Sequence, residues 1–83
     1  MAEITIKFSD KFDVLLVDFD TTIARWQSFG GTRNLVKENG IWGLVINEGT
    51  KTQWIYLFNE HQCERIDEHY NEWLMLRAIY DTK

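Results

Sequence analysis

Proline is absent from this 83-residue chain, and cysteine occurs only once, at position 63. Without proline, the sequence offers no proline-rich recognition segment and no proline-rich linker. A lone cysteine excludes an internal disulfide framework, which favours a reducing compartment. No apolar run approaches the ~20 residues of a membrane-spanning helix, and the first residues lack the basic and apolar regions of a secretory signal. The sequence therefore predicts a soluble, cytoplasmic protein that does not enter a membrane.

The composition is that of a small folded domain with an uneven charge. Hydrophobic residues make up 45% of the chain and aromatic residues 14%, which argues against disorder and predicts one domain over residues 1–83. The formal net charge is −4, and residues 60–83 carry six acidic but only three basic groups. This field disfavours simple electrostatic binding to nucleic acid or to an anionic membrane.

Apolar periodicity predicts strands in the first two thirds of the chain. Residues 4–8 alternate as in a half-buried strand, and residues 12–19 are almost continuously apolar, as in a strand covered on both faces. Residues 20–29 suit either an extended strand or a short helix. Gly30-Gly31 is expected to break the chain as a flexible turn.

Two hairpins are predicted after this break. Asn39-Gly40 is typical of a type I′ turn, in which both central residues need a positive φ. A short helix over residues 32–40 is the alternative for this segment. The second hairpin turns at residues 47–50 and returns through the apolar segment 53–58.

The segment from Glu60 to about Tyr80 has helical periodicity. Asn59 and Gln62 have the spacing of a capping box, and Phe58 and Cys63 that of a hydrophobic staple. The helical residues expected to face the sheet are Ile66, Tyr70, Trp73, Leu74 and Arg77. The predicted fold class is α+β: an antiparallel, meander-like sheet of four or five strands with one C-terminal helix packed on one face.

The distribution of large side chains bears on the oligomeric state. Residues 14–17 and 54–58 place bulky groups on both faces of the predicted sheet, and a single helix covers only one of them. The second face needs sheet curvature, the 20–34 segment or another chain to cover it. A homodimer is the economical solution, and a strongly curled sheet that buries everything by itself is the alternative.

Four glutamates at strict four-residue spacing, Glu60, Glu64, Glu68 and Glu72, form what we call the glutamate row. Like charges at this spacing destabilise a helix slightly, so local stability does not explain the pattern. Asp67 widens the negative stripe. We therefore expect a non-enzymatic interaction protein that inhibits or modulates a basic, nucleic-acid-acting partner such as a nuclease, toxin or defence protein, as a phage-type inhibitor would. An ordinary solvated helix face is the alternative for the row.

A second hypothesis concerns the basic and aromatic residues of the predicted sheet. Small sheets bind single-stranded nucleic acid by stacking bases on aromatic rings beside a basic groove. Such an RNA- or single-strand-binding module would use Arg25, Trp26, Arg33, Lys37 and Lys51.

The ten residues from Val14 to Ile23, VLLVDFDTTI, resemble the first motif of haloacid dehalogenase-like phosphohydrolases. The resemblance implies Asp18 as nucleophile, Asp20 as general acid/base and a magnesium ion beside them. It departs from the family at Thr21, where glycine is common, and the later motifs of the family are missing. The family also needs a doubly wound parallel sheet, which the predicted hairpins contradict. We therefore predict no enzyme, and such a phosphohydrolase remnant is a remote alternative.

Metal and thiol chemistry are not indicated either. His61 and Cys63 lie about 200° apart on a helix, and His69 is about 12 Å further along the axis from His61. This is not metal-ligand spacing. Cys63 is predicted to be a small core residue, and no cofactor or metal is expected.

Overall fold

The computed structural model describes residues 3–9, 13–27 and 29–81, in which six β-strands precede one α-helix. The sheet is antiparallel and open, and each strand pairs with its neighbours in the sequence, in the order β1 to β6. The sequence prediction of an α+β meander with a C-terminal helix is confirmed, but its count of four or five strands is wrong. The elements are β1 (Glu3–Lys7), β2 (Val14–Asp18), β3 (Ile23–Trp26), β4 (Phe29–Glu38), β5 (Ile41–Glu48), β6 (Lys51–Leu57) and α1 (Glu60–Asp81).

The additional strands come from the segment that the sequence left ambiguous. Ile23–Trp26 forms β3, and β4 begins at Phe29 and continues through Gly30-Gly31, so the expected break at these glycines is wrong. The pairing of β3 with β4 shifts register between Arg25 and Trp26, and Gly31 has a φ of 88°. The glycines therefore belong to an irregular, bulged part of a continuous hairpin.

The two predicted hairpins are present. Asn39 and Gly40 have φ angles of 54° and 82°, as a type I′ turn requires, and the alternative helix over residues 32–40 is wrong. The turn between β5 and β6 includes Gly49, with a φ of 62°.

The core lies between α1 and one face of the sheet, which we call the inner face. Alternate residues of β2, Leu15 and Val17, are fully buried there, as is Ile66 of the helix. Aromatic rings fill much of the remaining space; the buried ones are Phe8, Phe19, Trp26, Trp42 and Phe58. The rings of Trp26 and Tyr56, for example, pack edge to face with their centroids 4.7 Å apart.

The opposite face, which we call the outer face, is not covered by any described element. Leu16 pairs with Arg25 across β2 and β3, and both side chains point to this face because Leu15 and Val17 point inward. Leu16 and Val14 are therefore only half-buried, and residues 20–34 extend the sheet without covering it. Large apolar side chains stand exposed on several strands; they include Ile23, Ile41, Trp54 and Leu57.

One close approach shapes the outer face near β6. A Cβ atom at Gly43 would lie 2.5 Å from the Trp54 ring and 2.8 Å from the Tyr56 carbonyl oxygen. The absence of a side chain at Gly43 thus allows the indole of Trp54 to lie against the backbone of β5. The ring of Trp54 thus extends from the edge strand β6 over its neighbour β5.

Candidate interaction surface

Helix α1 begins with the capping box that the sequence predicted. The Gln62 backbone N–H donates to Asn59 Oδ1 at 2.8 Å, and the Asn59 N–H donates to Gln62 Oε1 at 3.0 Å. These two bonds satisfy orphan donors at the start of the helix. The cap makes Glu60 the first helical residue, so all four glutamates of the row lie within the helix.

Packing against the sheet turns the glutamate row toward solvent. Ile66 is fully buried, and Glu64 and Glu68 each lie two residues from it, about 200° around the helix. Tyr70 and Trp73 are half-buried on the same side of the helix. The centroid of the Tyr70 ring lies 5.3 Å from the centroids of both the Phe19 and the Trp42 rings. All four glutamates of the row are exposed, as expected, whereas Leu74 was wrongly predicted to face the sheet and is 40% exposed.

The carboxylates of the row are largely without internal counterions. Glu68 Oε2 lies 3.3 Å from Arg65 Nη1, and the Glu68 side chain remains 64% exposed. For Glu60, Glu64 and Glu72, the described ranges of the chain contain no ion-pair partner. An exposed ion pair such as the one at Glu68 contributes only about 0–1 kcal/mol, so it does not hold this carboxylate against a competing cation.

The row has a simple geometry. Successive carboxylates rise by about 6 Å and rotate by about 40° around the axis, so the row covers about 18 Å and turns by about 120° from Glu60 to Glu72. It lies on a helix whose opposite side is anchored in the core, so the Cα positions of the four glutamates are fixed before any partner binds. Such a surface complements a track of lysine or arginine side chains.

Asp67 differs from its neighbours in the negative stripe. Its Oδ1 accepts a hydrogen bond of 2.8 Å from Trp42 Nε1 and lies 3.0 Å from Lys37 Nζ. The Asp67 side chain is 36% exposed, and the Lys37 ammonium also lies over the Trp42 ring, 5.6 Å from its centroid. Asp67 thus joins the helix to β4 and β5, and its charge is already matched by a cation.

This difference gives a test of which carboxylates have structural roles. Asp67→Ala leaves the part-buried Trp42 Nε1 without an acceptor and should lower the free energy of unfolding by about 1–3 kcal/mol. Glu64→Ala, one turn earlier and exposed, should change it by less than about 0.5 kcal/mol. Urea unfolding followed by tryptophan fluorescence measures both values. Equal values for the two variants would contradict the structural role of Asp67.

The structure separates the residues of the nucleic-acid hypothesis. Trp26 is 7% exposed, and its Nε1 donates to Asp13 Oδ1 at 2.8 Å, so its ring faces cannot receive a base. Arg25 lies on the outer face, 3.7 Å from Glu3, whereas Lys37 is bound to Asp67 beside the inner-face Trp42. Arg33 donates to the Thr32 carbonyl, and Lys51 begins β6, three strands from Arg25. These side chains do not line one groove. In the structure, exposure alternates strictly along β3, with Ala24 and Trp26 buried, and this alternation places Trp26 in the core.

The segment that resembles a phosphohydrolase motif forms the end of β2 and the turn to β3. Asp18 Oδ1 accepts the Asp20 backbone N–H at 3.0 Å, and Asp20 Oδ1 lies 3.6 Å from Arg77 Nη1 of the helix. β2 is antiparallel to both of its neighbours, unlike the strand that carries this motif in the family's parallel sheet. The two aspartates thus organise a turn and its contact with α1.

Cys63 has the core role that the sequence predicted. It is 8% exposed, and its Sγ lies 3.4 Å from both the Trp42 backbone nitrogen and the Phe58 carbonyl oxygen. His61 Nε2 lies 3.3 Å from the Phe8 carbonyl oxygen, on the side of α1 that meets the end of β1. Among the described residues, no group of three or more histidine, cysteine, aspartate or glutamate side chains could hold a metal ion.

Among the described residues, the sheet carries shallow grooves. One has a volume of about 390 Å³ and lies along β2, β3 and the start of β4, beside Leu16, Arg25 and Phe29. Another, of about 250 Å³, lies between Ile41, Trp54 and Leu57 on the outer face. Neither groove gathers a set of convergent polar groups of the kind that orients a substrate.

The fold defines the molecule as a small α+β protein with an open six-stranded meander and one helix. No family model, no curated protein and no solved structure matches this chain. Within the described residues, the helix is not apolar enough to cross a membrane.

Proposed function

We propose that this protein is a non-enzymatic inhibitor or modulator that binds a basic, nucleic-acid-acting protein through the glutamate row. The observation that carries the proposal is the exposure of four carboxylates, three of them without an ion-pair partner in the described ranges, along one side of a helix anchored in the core. The partner of such a surface is a track of lysine and arginine side chains, which a nuclease, toxin or defence protein uses to hold a phosphate backbone.

The energetics favour a competitive mode of action. Holding these carboxylates on a packed helix lowers the ordering cost of binding, because the backbone has no freedom left to lose at Glu64 and Glu68. The surrounding negative field, from a net charge of −4, increases the encounter rate with a cationic partner. Occupation of the basic track by carboxylates then excludes the nucleic acid. A small inhibitor from a phage or mobile element is the class of protein that this size and charge suit.

The direct test is removal of charge without change of shape. Replacing all four glutamates of the row with glutamine should weaken the partner complex by about 2 kcal/mol, roughly 30-fold in Kd, if each carboxylate contributes about 0.5 kcal/mol. The partner is first identified by pull-down from host lysate, with and without nuclease treatment, and the affinity is then measured by titration calorimetry. Far-UV circular dichroism verifies that the helix is retained.

A charge-matched control separates the row from the overall field. Glu64→Gln with Glu72→Gln removes two charges from the row, and Glu38→Gln with Glu48→Gln removes two exposed charges from the sheet. The first pair should weaken binding by about 5-fold and the second by less than 2-fold. Equal losses from the two pairs would show that only net charge matters. Recovery of nucleic acid in place of a protein, lost on nuclease treatment, would instead favour the basic residues Arg25 and Lys51.

A further inference from the structure

The last two turns of α1 expose a continuous set of large apolar side chains, which we call the helix end. Met75 is 67% exposed, Leu76 52% and Tyr80 72%, while Leu74 and Ile79 are 40% and 57% exposed. At about 100° per residue, Met75, Leu76, Ile79 and Tyr80 lie within an arc of about 140°, and Leu74 lies to one side. Together the five side chains expose on the order of 500 Å² of mostly apolar surface, which is the size of the largest apolar patch on a soluble monomer, a patch that is often functional.

The helix end receives little packing from the rest of the chain. The aromatic contacts of α1 with the sheet finish at Trp73, whose ring centroid lies 5.8 Å from that of Phe19. Beyond it, Arg77 reaches Asp20 Oδ1 at 3.6 Å and lies over the Trp73 ring, while every residue from 74 to 80 is exposed. The last turn also holds no basic residue to compensate the helix dipole. Short helical segments gain most of their stability from packing an apolar face. The apolar side chains of these two turns therefore offer a surface to a partner.

We propose that the helix end binds the helix end of a second copy of this chain, with the two α1 helices antiparallel about a two-fold axis. An apolar face is complementary to itself, and a two-fold axis uses the same patch on both subunits. Complete burial of two such patches removes on the order of 1,000 Å² from solvent, the lower limit for a specific interface. A second copy is also the partner that is always present at an equal concentration.

Charge selects the antiparallel arrangement. Residues 73–80 contain no acidic group, whereas the glutamate row occupies the preceding three turns. Parallel helices at an interaxial distance of about 8–10 Å would place the two rows side by side, in mutual repulsion. Antiparallel contact about residues 77 and 78 separates the two Glu72 positions by about 16 Å along the axis, beyond the Debye length of about 8 Å at physiological salt. The two rows then extend in opposite directions from the interface.

The outer face of the sheet is the competing surface for self-association. Its exposed apolar residues, Ile23, Ile41, Trp54 and Leu57, are between 36% and 60% exposed; the last three line one groove, which Glu38 and Asn39 also border, and Ile23 lies apart on β3. Polar and charged side chains such as Arg25 lie on the same face. The helix end concentrates more exposed apolar surface within seven consecutive residues. This makes it the stronger candidate.

Sedimentation velocity and light scattering test the dimer on the full chain. Wild-type protein at tens of micromolar should have twice the 9.9 kDa mass of the monomer. Met75→Glu with Leu76→Glu should give a monomer at the same concentration, with the helical signal in circular dichroism retained. Leu57→Glu, at an equally exposed position of the outer face, should remain a dimer. A monomeric wild type, or a dimer that only Leu57→Glu dissociates, would overturn the proposal.

The orientation is tested by spin labels at the start of the helix. In a Cys63→Ala background, labels on Glu60→Cys should lie about 50 Å apart in the antiparallel dimer. In a parallel dimer they would lie within about 20 Å of each other. Double electron–electron resonance distinguishes these distances, and the shorter one would contradict the antiparallel arrangement. None of these measurements requires the partner of the glutamate row, so their failure leaves the proposed function intact.

Discussion

Phe19→Ala is expected to lower the free energy of unfolding by about 3–5 kcal/mol, the range for removing a buried phenylalanine from a packed core. Phe19 is 6% exposed and lies immediately after β2, where its ring contacts those of Trp42, Tyr70 and Trp73 at 6.2, 5.3 and 5.8 Å. One side chain therefore connects the β2–β3 turn, β5 and the second half of α1.

The expected loss is large relative to the whole stability of such a domain. Small domains have total unfolding free energies of about 5–15 kcal/mol, and one of this size belongs near the lower limit. The melting temperature should fall by roughly 12–40 °C, at about 4–8 °C per kcal/mol. Thermal melting followed by circular dichroism and urea unfolding followed by tryptophan fluorescence give the two values.

Two further variants define the cause of this loss. Phe19→Leu retains most of the buried volume and should cost less than half as much as Phe19→Ala. Leu57→Ala, at a side chain that is 60% exposed, should change the stability by less than about 1 kcal/mol. If Phe19→Ala cost no more than Leu57→Ala, the aromatic cluster would not be what holds the helix to the sheet.

Local signals in the sequence were sufficient for the helix and the hairpins. The Asn39-Gly40 pair specifies its turn because both residues tolerate a positive φ, and Asn59 with Gln62 specifies the start of α1 through two short-range hydrogen bonds. Each of these features depends on residues within three positions of one another. Such signals can be recognised before any tertiary contact is known.

The number of strands could not be obtained in the same way. β3 has only four residues, too few for a period to be distinguished from chance. Gly30-Gly31 normally interrupts a strand, but here pairing with β3 continues on both sides of the glycines as an irregularity in the ladder. The prediction failed because the partner strand, and not the local propensity, decides the conformation of this segment.

The candidate site was likewise predicted only in part from local sequence patterns. The outward direction of the glutamate row follows from helical periodicity once Ile66 is placed in the core. The attachment of Asp67 to Trp42 and Lys37 does not follow from periodicity, because these partners are 25 and 30 residues away. Sequence reasoning therefore grouped Asp67 with the row, although its side chain also binds the sheet. A still longer separation in sequence concealed the contact between Asp20 and Arg77.

The glutamate row is expected to act mainly on the rate of association with the partner. Replacing Glu60, Glu64, Glu68 and Glu72 with lysine changes the net charge from −4 to +4. The association rate constant at low salt should fall by about 10–1,000-fold, the range attributed to electrostatic steering. The i,i+4 repulsion within the row is the same for four lysines, but Glu60→Lys opposes the helix dipole and Glu68→Lys replaces the ion pair with Arg65 by a repulsion. Far-UV circular dichroism therefore verifies that the helix is retained before the rates are compared. The variant thus reverses the sign of the four charges and keeps their positions along the helix.

Salt dependence gives the physical signature of this mechanism. The wild-type association rate should fall steeply as the ionic strength rises from about 0.05 to 0.5 M, because the Debye length shortens from roughly 14 Å to about 4 Å. The lysine variant should show a weak or opposite dependence, and Glu38→Lys with Glu48→Lys should retain the wild-type slope. Stopped-flow mixing or surface plasmon resonance with the identified partner provides both rate constants. A wild-type association rate that is independent of salt, with all the loss in the dissociation rate, would contradict steering by the row. It would place the recognition instead in short-range contacts, for which the exposed apolar residues of the outer face are the available surface.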